Sequence, residues 1–309
     1  MALLITPPVT GSTEYWGKCV KALMPALDIR LWPDVGAVED INYLLTGFLD
    51  LAELPRLPNL RLVMPMFAGF DHLLGHSDLP NVPIVRTGPP DGDPAMTEYA
   101  LLHVLRHHRQ MPDYLAQQRR AEWRVRPQKL PREQRVGFMG FGALARPPAR
   151  VLCSLGFDVA AWRRSEGVDP EVEIFHGPAT LPAFLVRTDI LVCLLPLTSE
   201  TEGILNAELF SLMPTGASVI NLARGSHLVD IDLIAALDSG QLTGATLDAT
   251  NPEPLPPESP LWQHPGITVM PHTARRVRAD VIAPQVIEII RRDMVGDPQL
   301  STVDRSAGY

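Results

Sequence analysis

The chain has 309 residues, room for about two domains, and its 46% hydrophobic and 20% charged composition is globular, which excludes a disordered acidic chain. Against 35 Asp and Glu stand 27 Lys and Arg, a net charge of −8 with no long basic run, so a nucleic-acid partner is disfavoured. The densest apolar run, 190–195, is far short of the roughly 20 residues a membrane span needs, and the three unclustered cysteines exclude a disulfide frame or zinc site.

No basic stretch precedes Pro7, so no signal peptide is expected; with Cys19, Cys153 and Cys193 unpaired, a cytoplasmic, reducing compartment fits. Apolar runs at 2–5, 28–32, 43–46, 60–64 and 82–85 read as strands alternating with helical stretches, the rhythm of βα units. A proline-rich break at 88–94 follows. There Asp93 reads as a helix N-cap and Pro94 as the first helical residue. Met96, Ala100, Leu101, Val104, Leu105 and Met111 recur at helical spacing, predicting one long helix that leads from a first domain into a second. His103 and His107 share a face of it, but no carboxylate joins them and no metal is expected.

The second domain opens at Arg135 on an apolar strand running into Gly140-x-Gly142-x-x-Ala145. Strand, glycine turn and helix make the dinucleotide fingerprint. Gly140 allows the tight turn, Gly142 the close approach of a pyrophosphate, and Ala145 close helix–sheet packing, with phosphate on free helix N–H groups. A glycine loop facing S-adenosylmethionine in a methyltransferase is the alternative. Pro147 and Pro148 sit awkwardly, because a second helical turn there would lose backbone donors. The next strand, 159–162, runs into Arg163-Arg164-Ser165 where an NAD site places a ribose-binding carboxylate. Two guanidinium groups suit the 2′-phosphate of NADP, so NADP(H) is expected in preference to NAD(H), which the same site accepts more weakly.

Further strands are predicted at 190–194, 218–221, 245–248 and 268–270, with a helix at 230–239 and a last one at about 278–295 carrying Val281, Ile282, Val286, Ile289 and Ile290. Such alternation argues α/β architecture with doubly wound parallel sheets. The tail from Val303 is expected to fold back on the first domain.

Three segments after predicted strand ends carry chemistry: 221–225 (Asn-Leu-Ala-Arg-Gly), 247–256 (Leu-Asp-Ala-Thr-Asn-Pro-Glu-Pro-Leu-Pro) and 270–274 (Met-Pro-His-Thr-Ala). Open α/β sheets bind ligands at the carboxyl ends of their strands. Arg224 offers a planar fork matched to a carboxylate, and His272 is a proton donor near neutral pH. Glu253 beside it would favour imidazolium and fix its tautomer.

With 194–201 (Leu-Leu-Pro-Leu-Thr-Ser-Glu-Thr), these motifs resemble the D-isomer-specific 2-hydroxyacid dehydrogenases over essentially the whole chain. The C-terminal half is especially similar to their glyoxylate/hydroxypyruvate reductase branch. The resemblance implies a Rossmann cofactor domain at 93–284 and a discontinuous, flavodoxin-like substrate domain at 1–92 and 285–309. It implies NADPH-dependent reduction of small 2-oxoacids (glyoxylate, hydroxypyruvate) by a homodimer, with Arg224, Glu253 and His272 catalytic. It extends the cofactor contacts to Ala143, Leu144, Leu195, Pro196, Thr201, Leu222, Ala223, Arg224 and His272, with Asp248 on the nicotinamide carboxamide; capping a turn is the alternative for Asp248. The substrate would meet Phe67, Ala68 and Gly69 besides Arg224 and His272. The family commonly has a small residue where Phe67 stands, so a ring there would narrow the pocket or stack on the nicotinamide side. Trp123 matches a tryptophan that reaches the site from the dimer partner; plain packing is its alternative. Arg275, Arg276 and Arg278 stand where the related reductases are mostly uncharged, which makes each a candidate for an anionic substrate group or a solvated surface residue. A larger or phosphorylated 2-oxoacid, or a non-catalytic dinucleotide sensor of the same fold, are the rival functions.

Overall fold

The computed structural model describes residues 1–8, 10–47, 49–67, 69, 73, 81–88, 92–275, 277–297, 300, 302, 303 and 305. Strand β1 (Ala2–Ile5) is buried along its whole length. Helix α1 (Thr13–Leu23) is capped by Ser12, whose hydroxyl oxygen accepts from the Tyr15 N–H. Strands β2 (Asp28–Leu31), β3 (Ile41–Thr46) and β4 (Leu62–Pro65) complete a parallel sheet in the order β2-β1-β3-β4. That is the flavodoxin-like order. The segment 82–85, expected as a fifth strand, makes two single bridges instead: Ile84 parallel to Val63, and Val85 antiparallel to Thr302. The tail does return here, since the Val303 N–H donates to Ile84 O and its side chain joins the cluster of Ala2, Leu4, Leu44 and Val63.

Helix α2 (Pro94–His108) starts on the Asp93 cap with Pro94 in its first turn. The single long helix expected through Met111 is two. Gln110 takes a left-handed φ of 53° and α3 (Met111–Arg119) begins afresh. Pro112 is the physical reason: it lacks an N–H and its ring clashes inside a helix, but a first turn tolerates it.

The elements that follow are β5 (Arg135–Met139), α4 (Arg146–Ser154), β6 (Asp158–Arg163), β7 (Glu173–His176), α5 (Leu181–Val186), β8 (Ile190–Cys193), α6 (Ala207–Leu212), β9 (Ala217–Asn221), α7 (Asp230–Asp238), β10 (Leu242–Leu247) and β11 (Ile267–Val269). Seven strands form one parallel sheet, β11-β10-β9-β8-β5-β6-β7. Its central strands β5, β8 and β9 are near-continuous apolar runs because helices cover both faces. One face packs Leu191, Phe184, Leu209 and Leu233, the other Phe138, Val104, Ala149 and Leu152. The strand order reverses between β5 and β8, the crevice where a doubly wound sheet takes its ligand.

Helix α8 (Ala279–Met294) closes the chain, burying Ile282, Val286 and Ile290 in one cluster with Trp16 and Val20 of α1. The chain divides into two compact units, 1–90 with 276–309 and 91–275. The expected cut between 284 and 285 would split α8, whose apolar face belongs throughout to the first unit, so the boundary lies ahead of the helix. Among the described residues, no helix is long and apolar enough to cross a membrane.

Candidate active site

The glycine loop leaves β5 at the switch point. Gly140 has φ +91°, and its N–H donates to Trp162 O at 2.8 Å. A β-carbon there would lie 2.7 Å from Leu194 O, so both the conformation and the close passage of the chain after β8 require glycine. A β-carbon on Gly142 would meet nothing within 4 Å: the crest of the turn is open. Among the described residues, nothing accepts from the N–H groups of Gly142, Ala143 and Leu144, which fits them to a phosphate. The expected loss of donors in a second helical turn is corrected. Helix α4 starts at Arg146, which puts Pro147 and Pro148 in its first turn, where the N–H groups have no partner within the helix. The cost falls on the ligand side. Those two residues present no N–H, and the Arg146 N–H is spent on Gly142 O, so the loop rather than the helix must hold the phosphates.

Arg163 ends β6, and Arg164 and Ser165 follow on the surface. The Arg163 guanidinium folds back on its own turn, donating to Ser165 Oγ at 3.2 Å and closing over Gly167. Arg164 is the more outward of the two.

Three strand ends on the other side of the switch point supply the remaining groups. Arg224 follows β9, Glu253 follows β10 and His272 follows β11. The structure brings Glu253 and His272 together: the His272 Nδ1–H donates to Glu253 Oε2 at 2.9 Å, leaving Nε2 as the outward ring nitrogen. That bond, ahead of the opposing effect of burial, raises the His272 pKa above its ordinary value. Burial alone would raise Glu253, but the bonds from His272 and from the Thr250 N–H (3.0 Å) and the charges of His272 and Arg224 outweigh it and hold the carboxyl below its usual range. Arg224 acts electrostatically on both partners, so the three form one charged group.

Backbone interlocking fixes these loops. Asn221 Nδ2 donates to Arg224 O at 2.8 Å, and the fully buried His227 accepts the Arg224 N–H on Nδ1 at 3.2 Å, with Nε2 3.3 Å from Pro196 O. His227 thereby ties the Arg224 loop to the 194–201 loop. Sequence reasoning missed it, though its place two residues past the Arg-Gly pair was a signal. A β-carbon on Gly225 would fall 2.0 Å from the Thr250 carbonyl carbon, in the backbone of the loop that carries Glu253. Backbone cannot step aside. Gly225→Ala should therefore cost about 1–3 kcal/mol of stability as overpacking and lower turnover with it; an unchanged melting temperature would contradict this close approach.

The other expected contacts resolve as follows. Asp248 is buried, and its carboxylate accepts from the Tyr99 hydroxyl and the Thr273 N–H on Oδ1 (2.8 Å each) and from the Ala274 N–H on Oδ2 (3.0 Å). The turn it caps is the one bearing His272. Tyr99, another residue the sequence reading passed over, stays a donor because burial pushes its pKa up. Thr201 donates to Pro196 O at 2.7 Å and closes the 196–201 loop, while Leu195, Leu222 and Ala223 are buried beneath the cofactor-side backbone. Phe67 and Gly69 belong to the first unit; Ala68 lies outside the described residues, as does Arg276. Arg275 pairs with Asp93, and Arg278 with Asp280, so neither guanidinium is held in reserve for a substrate anion. His107 is 3.0 Å from Thr246 Oγ1, and burial takes His103 and His107 down to about 4 and about 3, so both are neutral core residues. Among the described residues, no group of three or more His, Cys, Asp or Glu could hold a metal ion. Trp123 is 101% exposed and Val125 84%, so plain packing within the chain does not account for Trp123.

Residues 101–274 match the family model for the D-isomer specific 2-hydroxyacid dehydrogenase NAD-binding domain. A D-isomer specific 2-hydroxyacid dehydrogenase from Xanthobacter autotrophicus, solved with NADPH and MES, is 37% identical with a TM-score of 0.93, over 100% of this chain and 99% of that one. An NADPH-dependent glyoxylate/hydroxypyruvate reductase from Sinorhizobium meliloti, solved with NADP and sulfate, is 34% identical with a TM-score of 0.92 over 100% of both chains. A probable 2-hydroxyacid dehydrogenase from Rhizobium etli, solved with NADP, HEPES and L(+)-tartaric acid, is 31% identical at 0.91, over 100% and 99%. With more than half its length in the family model and full-length relatives above 30% identity, the chain belongs to the D-isomer specific 2-hydroxyacid dehydrogenases.

Proposed function

We propose that the protein reduces small 2-oxoacids, glyoxylate and hydroxypyruvate first, to 2-hydroxy acids with NADPH, as a homodimer. The observation that carries the reading is the 2.9 Å His272–Glu253 bond within the field of Arg224, at the ends of three adjacent strands. NADPH, when bound, supplies the hydride. Arg224 holds the substrate carboxylate in its fork, and its charge favours the developing alkoxide. His272 delivers a proton from Nε2 to the carbonyl oxygen, and Glu253 keeps the imidazole protonated and correctly turned. The loop N–H groups of Gly142, Ala143 and Leu144 receive the pyrophosphate. The relatives solved with NADP or NADPH and the outward arginine at the end of β6 support the coenzyme assignment. The wholly exposed Trp123 supports a second copy of the chain as its cover.

The test is absorbance at 340 nm with a panel of 2-oxoacids under NADPH and NADH. Turnover of glyoxylate and hydroxypyruvate with NADPH is expected. NADPH binding with no turnover on any 2-oxoacid would favour a non-catalytic sensor, and turnover confined to larger or phosphorylated acids would move the substrate.

The wild type should prefer NADPH over NADH at least tenfold in kcat/KM, because one charge-assisted contact to the 2′-phosphate contributes about 1.5–3 kcal/mol. Arg164→Ala should raise the NADPH KM and leave NADH kinetics nearly unchanged, with added salt mimicking it in part. Equal use of both coenzymes by the wild type would remove Arg163 and Arg164 from coenzyme choice.

A further inference from the structure

The turn that carries His272 is gripped from behind by helix α2, and one of the grips lies outside the set of residues the family reading assigns. Arg275, three residues after His272, donates from Nε to Asp93 Oδ2 at 2.5 Å, and the two side chains are only 9% and 11% exposed. Asp93 is also the cap of α2, its Oδ1 accepting from the Ala95 N–H at 2.9 Å. The ion pair therefore ties the end of the His272 turn to the fixed start of a 15-residue helix. Further along that helix, Tyr99 donates to Asp248 and lies 3.3 Å from Thr273 Oγ1.

Residues 273, 274 and 275 are thus fastened in succession, the first two to Asp248 and the third to Asp93. His272 itself has φ +50°, and its N–H donates to Asp248 O at 2.9 Å. A left-handed residue other than glycine persists only where its surroundings over-determine it. Burying both charges is costly, and a solvated arginine with a simple aspartate cap would serve stability as well, which leaves geometry as what the pair provides.

We propose that Arg275 is a positioning residue: its ion pair with Asp93 locks the 272–275 turn against α2 and so keeps the His272 imidazole on Glu253. It rests on the reading of His272 as proton donor and extends it to two residues that touch no reacting atom.

Two variants test it on the full-length protein. Arg275→Met removes the charge at similar length. Asp93→Asn keeps a cap acceptor for the Ala95 N–H and removes the ion pair, leaving the Arg275 charge buried, so its melting temperature is read beside kcat. Both should lower kcat for glyoxylate reduction by about tenfold, since small displacements of a catalytic group carry such factors. NADPH affinity, read by fluorescence titration, should not move. The His272 imidazole, followed by NMR with His272→Asn as the assignment control, should titrate closer to its ordinary value as the Glu253 bond loosens. The double variant should be no worse than the worse single one. A lowered melting temperature with wild-type kcat and an unmoved His272 titration would overturn the proposal and leave the pair merely structural. A shifted His272 titration with wild-type kcat would uphold the positioning and instead remove His272 from proton donation.

Discussion

His272→Asn is expected to lower kcat for 2-oxoacid reduction by roughly 10²–10⁴, the usual contribution of a placed general acid. NADPH affinity should hardly change, because the glycine loop and the β6 turn that bind the dinucleotide lie on other strands. Stopped-flow single turnovers would separate the chemical step from release, and near-wild-type turnover would dismiss the residue from the mechanism. The pH profile carries the same information with a sign. The active form for reduction is imidazolium, and Glu253 raises the pKa of that group, so activity should persist above the ordinary histidine range and fall as pH rises through the raised value. Glu253→Gln removes the favouring charge and should move the falling limb toward acid. The same linkage acts on stability. Protonated His272 contributes fully below its unfolded pKa near 6.5, and the contribution is lost as pH rises through the folded value. That stability effect is small, since the pair is about two-fifths exposed on each side and solvent screens it.

Arg224→Lys should also be damaging, although it keeps the charge. A lysine ammonium offers no planar fork, so a bidentate carboxylate contact becomes a single one. Loss of one charge-assisted bond amounts to about 1.5–3 kcal/mol, hence roughly ten- to a hundredfold in kcat/KM. Pyruvaldehyde, which has the carbonyl without the carboxylate, should suffer far less. The comparison of glyoxylate with pyruvaldehyde is the decisive measurement; equal losses on both would show that Arg224 is not the carboxylate clamp. The loop should keep its two backbone anchors, Asn221 Nδ2 on Arg224 O and the Arg224 N–H on His227, while the bond from Arg224 Nη1 to Ala223 O at 2.9 Å is lost with the guanidinium.

Strands buried on both faces announced themselves, because their apolar runs are unbroken: β1 has the expected limits, and β6, β8 and β9 fall within a residue or so of theirs. Strand β7 escaped because it lies at the sheet edge, where Glu173 and His176 face solvent and no apolar run forms. The break between α2 and α3 was legible in Pro112, yet helical periodicity carries across it and masks the stop. Of the candidate site, Arg224, Glu253 and His272 could be named because each lies in the loop that follows a strand end. The residues that hold them could not. Tyr99 lies 149 positions from Asp248, and Asp93 lies 182 from Arg275, separations that no local pattern records. Asp248 shows the limit most plainly: the family resemblance implies a cofactor contact, with capping a turn as the alternative, and only the fold reveals the three protein donors bonded to it.

The order of the seven-stranded sheet divides the labour of the protein into left and right. The arginines after β6 lie on one side of the β5–β8 crevice, and Arg224, Glu253 and His272 follow β9, β10 and β11 on the other. The residues proposed for coenzyme choice and those proposed for carbonyl chemistry therefore follow separate strands, with the glycine loop as the border between them. An engineer wanting an NADH-driven catalyst can rewrite residues 163–165 with an acidic turn and expect the proton donor and the carboxylate clamp to be untouched.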